Sequence, residues 1–374
     1  MDFLLQTLKA VTYKDVIMWV IGLVLIYLAI KKEMEPALLL PIGFGVILVN
    51  IPFSNVIDSA EGAGIIQWLF EVGIEASEAL PILLFIGIGA MIDFEPLIIN
   101  PKLMIMGAFA QIGIFITLIL AVLLGFPLKD AASVGIIGAA DGPTSIFVAN
   151  ELGSTYTAAI MVAAYSYMAL VPIVQPPIIK LCTTKKERLI RMTAPNRTVS
   201  KTTKIIFPIA VTVIVGLIAP DAVALIGFLM FGNLIRECGV LNSLSDTAQN
   251  VLANLVTIFL GITIASRMTA EEFLQPTTLL IMCLGLLAFV FDTVGGVMIA
   301  KIMNLFCKNK VNPMIGAAGI SAFPMSARVV HKMGLEEDDQ NFLLMHSIGV
   351  NVSGQIASVI AGGLILALVR QIIA

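Results

Sequence analysis

Along the chain, apolar runs alternate with short polar stretches, and those of roughly 17 residues or more are each long enough to cross a hydrocarbon core of about 30 Å. The pattern predicts membrane helices over 15–30, 36–53, 80–99, 103–126, 155–181, 205–218, 222–234, 251–265, 278–303 and 342–369. Residues 1–14 read as an amphipathic segment at the membrane surface. The stretch 62–76 is shorter, with Glu71 and Glu75 on one face, and reads as lying on the surface or spanning only part-way. Two segments break the pattern, 131–150 and 311–328. Both are apolar enough for membrane depth, yet small, interrupted and polar at intervals.

In the first, Gly135-Ile-Ile-Gly-Ala-Ala-Asp141-Gly-Pro-Thr-Ser145 places an acid directly before Gly-Pro. Proline removes a backbone donor and clashes with the preceding turn, so a helix breaks there. A break inside lipid frees carbonyls, which survive only against protein or a wet cavity. A carboxylate beside freed carbonyls and two hydroxyls is an all-oxygen environment, suited to Na⁺ or a proton. The second segment opens on Asn312-Pro313 and repeats Ile-Gly-Ala-Ala at 315–318, matching 137–140. Phe-Leu-Gly-Ile at 259–262 similarly echoes Phe-Ile-Gly-Ile at 85–88, at a nearly equal offset. Interrupted segments at corresponding places of two halves point to the binding site of a transporter-like fold.

Composition strengthens this picture. The chain is 59% hydrophobic and 13% charged, about half the charge of a soluble protein. The net charge of −3 says little, because the charges sit in loops. Their placement says more. Lys180, Lys185, Lys186, Arg188, Arg191, Arg197, Lys201 and Lys204 cluster between the halves, and the positive-inside rule puts this loop in the cytoplasm. Counting outward, the first hairpin enters from outside and the second from inside, where Lys301, Lys308 and Lys310 agree. The expected fold is an all-α polytopic membrane protein with inverted-topology repeats and two re-entrant hairpins. Its parts are N-terminal interfacial and scaffold helices (1–79), a first repeat core (80–181), a cytoplasmic basic linker (182–204) and a second repeat (205–374). Four scattered cysteines and two histidines argue against haem, iron–sulfur or zinc chemistry. The N-terminus lacks the basic region and cleavage site of a signal peptide, so the first membrane helix is expected to direct insertion.

Candidate residues follow from polarity at membrane depth. Asp141 is the sharpest, since an ionised carboxylate in hydrocarbon must be paired, solvated or protonated. It could also simply cap the half-helix that starts at Pro143. Asn312 and Asn351 offer amide oxygens for Na⁺, or interhelical hydrogen bonds. Ser321 and Ser353 are hydroxyls inside these stretches. Arg328 ends the second hairpin, where its planar fork suits a carboxylate or snorkels to the boundary. Tyr167 is a phenol within a span, and Asp292 an acid within another.

The segments Gly-Ala-Ala-Asp141-Gly-Pro-Thr, Tyr-Ser-Tyr167-Met-Ala-Leu-Val-Pro, Asn312-Pro-Met-Ile-Gly-Ala-Ala-Gly-Ile-Ser321, Pro-Met-Ser-Ala-Arg328-Val-Val and Asn351-Val-Ser-Gly-Gln closely resemble the β subunit of the biotin-dependent sodium-pumping decarboxylases. The resemblance covers nearly the whole chain from about residue 20. Ser326 stands where a small residue such as alanine is expected. The resemblance implies an elevator-like fold with scaffold and moving domain, in a homotrimer with a small γ or δ membrane subunit. It implies biotin carrier and carboxyltransferase partners, and a location in the cytoplasmic (inner) membrane. The implied reaction releases CO₂ from carboxybiotin, consumes a proton and exports Na⁺. Positions matching Asp141, Asn312, Gly316, Ser321, Arg328 and Asn351 are implied in Na⁺ binding or coupling, with Tyr167 implicated in activity and Ser353 beside them. On this basis Asp141, Tyr167 and Arg328 are the expected catalytic residues, and Arg328 would guide carboxybiotin. One Na⁺ is expected against Asp141, where H⁺ competes with it, and a second near Asn351, Asn312 and Ser321. The rival reading is a stand-alone Na⁺/H⁺ antiporter or Na⁺–carboxylate symporter of similar fold.

Overall fold

The computed structural model describes residues 2–33, 36–59, 62–76, 78–192, 198–307 and 310–373; Arg197 and Lys308 lie outside these. The first half runs through α1 (Asp2–Ala10), α2 (Tyr13–Lys31), α3 (Pro36–Val49), α4 (Ile65–Phe70), α5 (Ala79–Met91), α6 (Glu95–Ile99), α7 (Leu103–Phe109) and α8 (Ile112–Leu123). Then come α9 (Leu128–Gly135), a tight turn over Ile136–Ala139, α10 (Gly142–Glu151) and α11 (Thr157–Cys182). After α12 (Lys185–Arg188), the second half runs through α13 (Lys201–Ile218), α14 (Val223–Cys238), α15 (Asn242–Asp246), α16 (Ala253–Ile264), α17 (Ala270–Phe273) and α18 (Pro276–Phe306). It ends on a tight turn over Pro313–Gly319, α19 (Met325–Glu337) and α20 (Leu344–Ile373). Among the described residues, seven helices are long and apolar enough to cross a membrane, or up to eight if the bent pair Ile65–Glu75 and Ala79–Met91 is one span.

The structure differs from expectation in detail. A two-stranded antiparallel ribbon pairs Asp58 with Ala63 and Ser59 with Gly62, the only strands among the described residues. The helix predicted over 80–99 stops at Met91, because Asp93 accepts the Glu95 N–H at 2.9 Å and turns the chain. The run 103–126 forms one span, Leu103–Leu123, with a local turn at Ala110-Gln111 between α7 and α8. The span predicted over 251–265 belongs to one continuous 242–267 stretch.

Large side chains such as Leu23, Ile119, Val213, Leu286 and Leu368 face outward, as lipid requires. Inside, the principal core gathers both hairpins with α18 and α20, through Ile136, Ala139, Phe289, Ile315, Ile320, Val352 and Ile356. A second core joins α2, α3 and α16 to Ile146 and Tyr165.

The hairpin ends lie at opposite faces. The base of the second hairpin is tied to the basic linker, since Asn312 Nδ2 donates to the Arg188 and Ile190 carbonyls at 2.8 and 2.9 Å. Asn341, just before α20, also donates to the Arg188 carbonyl at 3.0 Å. From there α20 runs 30 residues, roughly 45 Å at 1.5 Å per residue. At its far end Arg370 pairs with Glu151, which closes the first hairpin, and with Asp221 at 3.0 Å.

Candidate functional site

Asp141 begins the site. Ala140 adopts a left-handed backbone (φ 51°), which ends the Ile136–Ala139 turn. Asp141 then caps α10, and Pro143 sits in the first turn, where a missing N–H costs nothing. Its carboxylate is buried and held by three donors. Oδ2 accepts from Thr144 Oγ1 at 2.7 Å and from Ser358 Oγ at 3.2 Å, and Oδ1 accepts from Thr144 N at 3.4 Å. The Tyr165 ring lies so close over Gly142 that any Cβ there would collide with it. The Tyr165 hydroxyl is buried without a partner.

The second hairpin meets the first at its tip, where Ser321 N donates to the Ala139 carbonyl at 2.9 Å. Ser321 Oγ donates to the Gly354 carbonyl at 2.9 Å. One face of α20 braces both tips. Asn351 Nδ2 donates to the Ala318 and Ile320 carbonyls at 3.0 and 2.7 Å. Gln355 Nε2 donates to the Ser321 carbonyl. Ser358 reaches Asp141. The spacing i, i+4, i+7 places the three on one helical stripe. Gln111, at the α7–α8 turn, donates to the Gly107 and Gly319 carbonyls at 3.2 and 3.1 Å.

Each of these amides spends its NH₂ on the hairpin and leaves its oxygen bare. Asn351 Oδ1, Gln355 Oε1 and Gln111 Oε1 are all buried acceptors without a partner. A buried polar atom left unsatisfied costs about 1–3 kcal/mol. Three bare oxygens around one turn are what a small hard cation would satisfy.

The remaining expected residues lie apart. Asn312 is fully buried but stands at the other end of the seven-residue turn, roughly 14 Å along the axis at 2 Å per residue. Its amide holds the linker, and its Oδ1 accepts from Met314 N at 3.1 Å. Gly316 serves close packing, since a Cβ there would strike the Gly296 carbonyl of α18. Ser353 faces α7, donating to the Leu103 carbonyl at 3.0 Å. Tyr167 points away from Asp141 toward α18, with its hydroxyl on the Met282 carbonyl. Arg328 does not end the hairpin: it is exposed in the first turn of α19, near the tip, roughly 14 Å of helix before Glu337, which meets the linker. Ser326 donates to the Ala317 carbonyl at 3.1 Å and accepts from Gln175 Nε2 at 2.8 Å, a link alanine would lack.

Sequence reasoning assigned no site role to Ser358, Gln111, Gln175 and Tyr165, and left Gln355 unplaced. Spacing from Asn351 along a helix could have found Gln355 and Ser358. On the face away from the linker, a cavity of about 610 Å³ is lined by Glu75, Asn150, Ser154, Arg267 and Glu272 and reaches Val162. Tyr165, packed over Gly142, stands one helical turn beyond the Val162 that lines this cavity.

Apolar helices, two interrupted hairpins whose tips touch, and an oxygen-rich buried junction define a polytopic membrane protein with a polar centre. The chain belongs to the family described as the Na⁺-transporting oxaloacetate decarboxylase beta subunit, which it matches over residues 14–369. It is 49% identical to the glutaconyl-CoA decarboxylase subunit beta of Acidaminococcus fermentans, over 96% of this chain and 94% of the relative. It is 48% identical to the methylmalonyl-CoA decarboxylase subunit beta of Propionigenium modestum, over 95% and 94%. Identity to the oxaloacetate decarboxylase beta chain of Haemophilus ducreyi is 44%, over 97% of each. The protein is therefore the membrane subunit of a Na⁺-transporting decarboxylase. The stand-alone antiporter or symporter has no support among these relatives.

Proposed function

We propose that this subunit releases CO₂ from carboxybiotin entering from the linker face, which is cytoplasmic, and uses that step to export Na⁺ while a proton is consumed. Asp141 is the sodium carboxylate. The observation that carries this reading is its position where the two hairpin tips touch, with hydroxyl donors at 2.7 and 3.2 Å whose oxygens have lone pairs to spare. Asn351, Gln355 and Gln111 oxygens, with Ser321 beside them, offer a second group of ligands around the tip of hairpin two. Asn312 and Gly316 support this group by fixing the hairpin's base and its packing on α18. Ser353 positions α20 against α7, and Tyr167 positions α18 against the first hairpin.

Arg328, exposed and without a carboxylate partner among the described residues, receives the carboxylate of carboxybiotin brought by a biotin carrier subunit. A carboxyltransferase subunit loads that carrier. Na⁺ released past Tyr165 enters the cavity lined by Glu75 and Glu272. The opposite-face hairpins, and the same order of broken hairpin and long helix in each half, support inverted repeats (80–181 and 205–374) around the 182–204 linker. Helices before residue 80 then serve as scaffold, and hairpin-bearing parts move in elevator fashion. A homotrimer with a small γ or δ subunit in the cytoplasmic membrane completes the assembly. The three relatives' names carry three different acids, so the soluble partner sets the substrate.

The test is Asp141→Asn in the assembled complex. Asn keeps the size and the cap but not the charge. Na⁺-dependent decarboxylation is expected to disappear while the complex still purifies intact. Transport that persists with normal Na⁺ affinity would refute the assignment. Arg328→Lys is expected to raise the carboxybiotin requirement more than the Na⁺ requirement; the reverse order removes Arg328 from carboxybiotin binding.

A further inference from the structure

A second acid lies fully buried at the centre, and nothing in the sodium reading uses it. Asp292, in the middle of α18, has no exposed surface. Its Oδ1 accepts from the Gly113 N–H at 2.5 Å, at the start of α8. Its Oδ2 has no hydrogen-bond partner. That oxygen faces hairpin one: a Cβ built on Gly138 would lie 2.7 Å from Oδ2 and 2.7 Å from the Ala288 side chain. Gly138 is part of the tight turn that precedes Asp141.

The two buried acids therefore differ in kind. Asp141 has hydroxyl donors on its carboxylate, and their oxygens can turn to a metal ion. Around Asp292 the contacts are the backbone N–H groups of Gly113 and Ile114, a glycine backbone and a methyl group, with no oxygen among them. A metal ion needs several oxygens and room; a proton needs one oxygen and no room. An ionised carboxylate with one bare oxygen in an apolar interior is disfavoured by several kcal/mol. Placing the proton on Oδ2 removes that cost.

Among the described residues, no charged side chain pairs with Asp292. The elements packed on this part of α18 are α7, α8 and the tight turns of both hairpins, and none carries a titratable side chain. On α11, Tyr167 meets α18 near Gly285 and gives its hydroxyl to the Met282 carbonyl. Asp130 and Lys129, at the outer start of α9, are engaged by Ser154 and Thr155 and by the Gly153 carbonyl.

We propose that Asp292 is a proton-binding site that couples protonation to the position of the first hairpin. It holds a proton while Gly138 packs on Oδ2, and it ionises when the hairpin shifts and water reaches that oxygen. The inference rests on the pump reading above and deepens it by separating the proton from the sodium carboxylate. In the proton-consuming step the N–CO₂ bond of carboxybiotin breaks, its electron pair stays on the biotin nitrogen, and that nitrogen takes up one proton. Asp292 is a store for such a proton, released in the shifted state and refilled from solvent as the hairpin returns to pack on Oδ2.

The experiment is infrared difference spectroscopy on the assembled complex carrying isotope-labelled aspartate carboxyls, which sets glutamates aside. A protonated-carboxyl band should persist in Asp141→Asn and vanish in Asp292→Asn. No such band in Asp141→Asn, or a band that survives Asp292→Asn, overturns the proposal. The spectrum needs no turnover, so it stands apart from failure of the pump reading, which Asp141→Asn activity decides. In turnover, Asp292→Asn mimics the protonated form and keeps the acceptor for Gly113. Decarboxylation should fall at least ~100-fold, the scale of a lost proton-transfer group, with radiolabelled Na⁺ binding retained. Unchanged turnover means that Asp292 only caps α8. Should Asp292→Asn fail to assemble, the Asp141→Asn spectrum decides alone.

Discussion

Two serines five residues apart on α20 show how narrowly the site is specified. Ser358 donates to Asp141 Oδ2, whereas Ser353 donates to the Leu103 carbonyl on α7. The two differ by five residues, about 500° around a helix, so they occupy different faces. Ser358→Ala removes a hydroxyl from the carboxylate and from any ion beside it. A hydrogen bond to a charged group is worth about 1.5–3 kcal/mol, so half-saturating Na⁺ is expected to rise about tenfold or more. Ser353→Ala should leave it near the native value, although Ser353 is the serine that sequence reasoning selected. Na⁺ titration of decarboxylation in both variants checks this; equal shifts would place both hydroxyls, or neither, at the ion.

At the scale of elements, the hairpins hold their shape because glycines let backbones touch. Gly354 of α20 lies against the Gly319 carbonyl at the tip of hairpin two, and a Cβ there would overlap it. Gly227 of α14 has nothing closer than 4.0 Å to a Cβ. Overpacking a filled interior costs about 1–3 kcal/mol. Gly354→Ala should therefore lower the thermal midpoint of the purified subunit and weaken Na⁺ dependence, while Gly227→Ala leaves both intact. A harmless Gly354→Ala would mean that the tip has slack. The hairpins themselves were legible in sequence, because Asp141-Gly-Pro and Asn312-Pro break helices by known chemistry and recur in both halves. The α7–α8 turn was not. The run 103–126 has no proline before Pro127, and its one amide, Gln111, reads like an interhelical contact rather than a turn. The α20 stripe was half legible. Asn351 stood out, but Gln355 and Ser358 look like ordinary interhelical polar contacts until the helix is wound. Asn312 reads as a ligand beside Asn351 in sequence, yet a compact turn separates them and the linker takes its amide.

Across the whole molecule, the linker works as a strap over the base of hairpin two. Arg188 pairs with Glu337 at 2.6 Å, Arg191 with Asp338 at 2.6 Å, and Lys301 with Glu187 at 3.1 Å. Asn312 and Asn341 anchor the same strap through the Arg188 carbonyl. Any shift of this hairpin must carry the strap with it or break these pairs. The Arg191 guanidinium grips Asp338 with two N–H donors, at 2.6 and 2.9 Å, and with the Gln340 N–H holds that carboxyl below its ordinary 3.8. A depressed carboxylate adds stability that is present above its unfolded value and lost as pH falls through the folded one. The strap should thus keep its protection from neutral pH down to the ordinary 3.8 and lose it only below. Exposed pairs are also screened by salt, so the loss should come with less acid at high ionic strength. Hydrogen exchange of linker amides 185–191 in the assembled complex, corrected for intrinsic rates, reads this directly. Arg191→Gln should raise exchange at neutral pH and flatten its dependence on acid. If native and Arg191→Gln linkers exchange alike across the range, the pair with Asp338 does not hold the strap, and the base of hairpin two is fixed by the two asparagines with the Arg188 and Lys301 pairs.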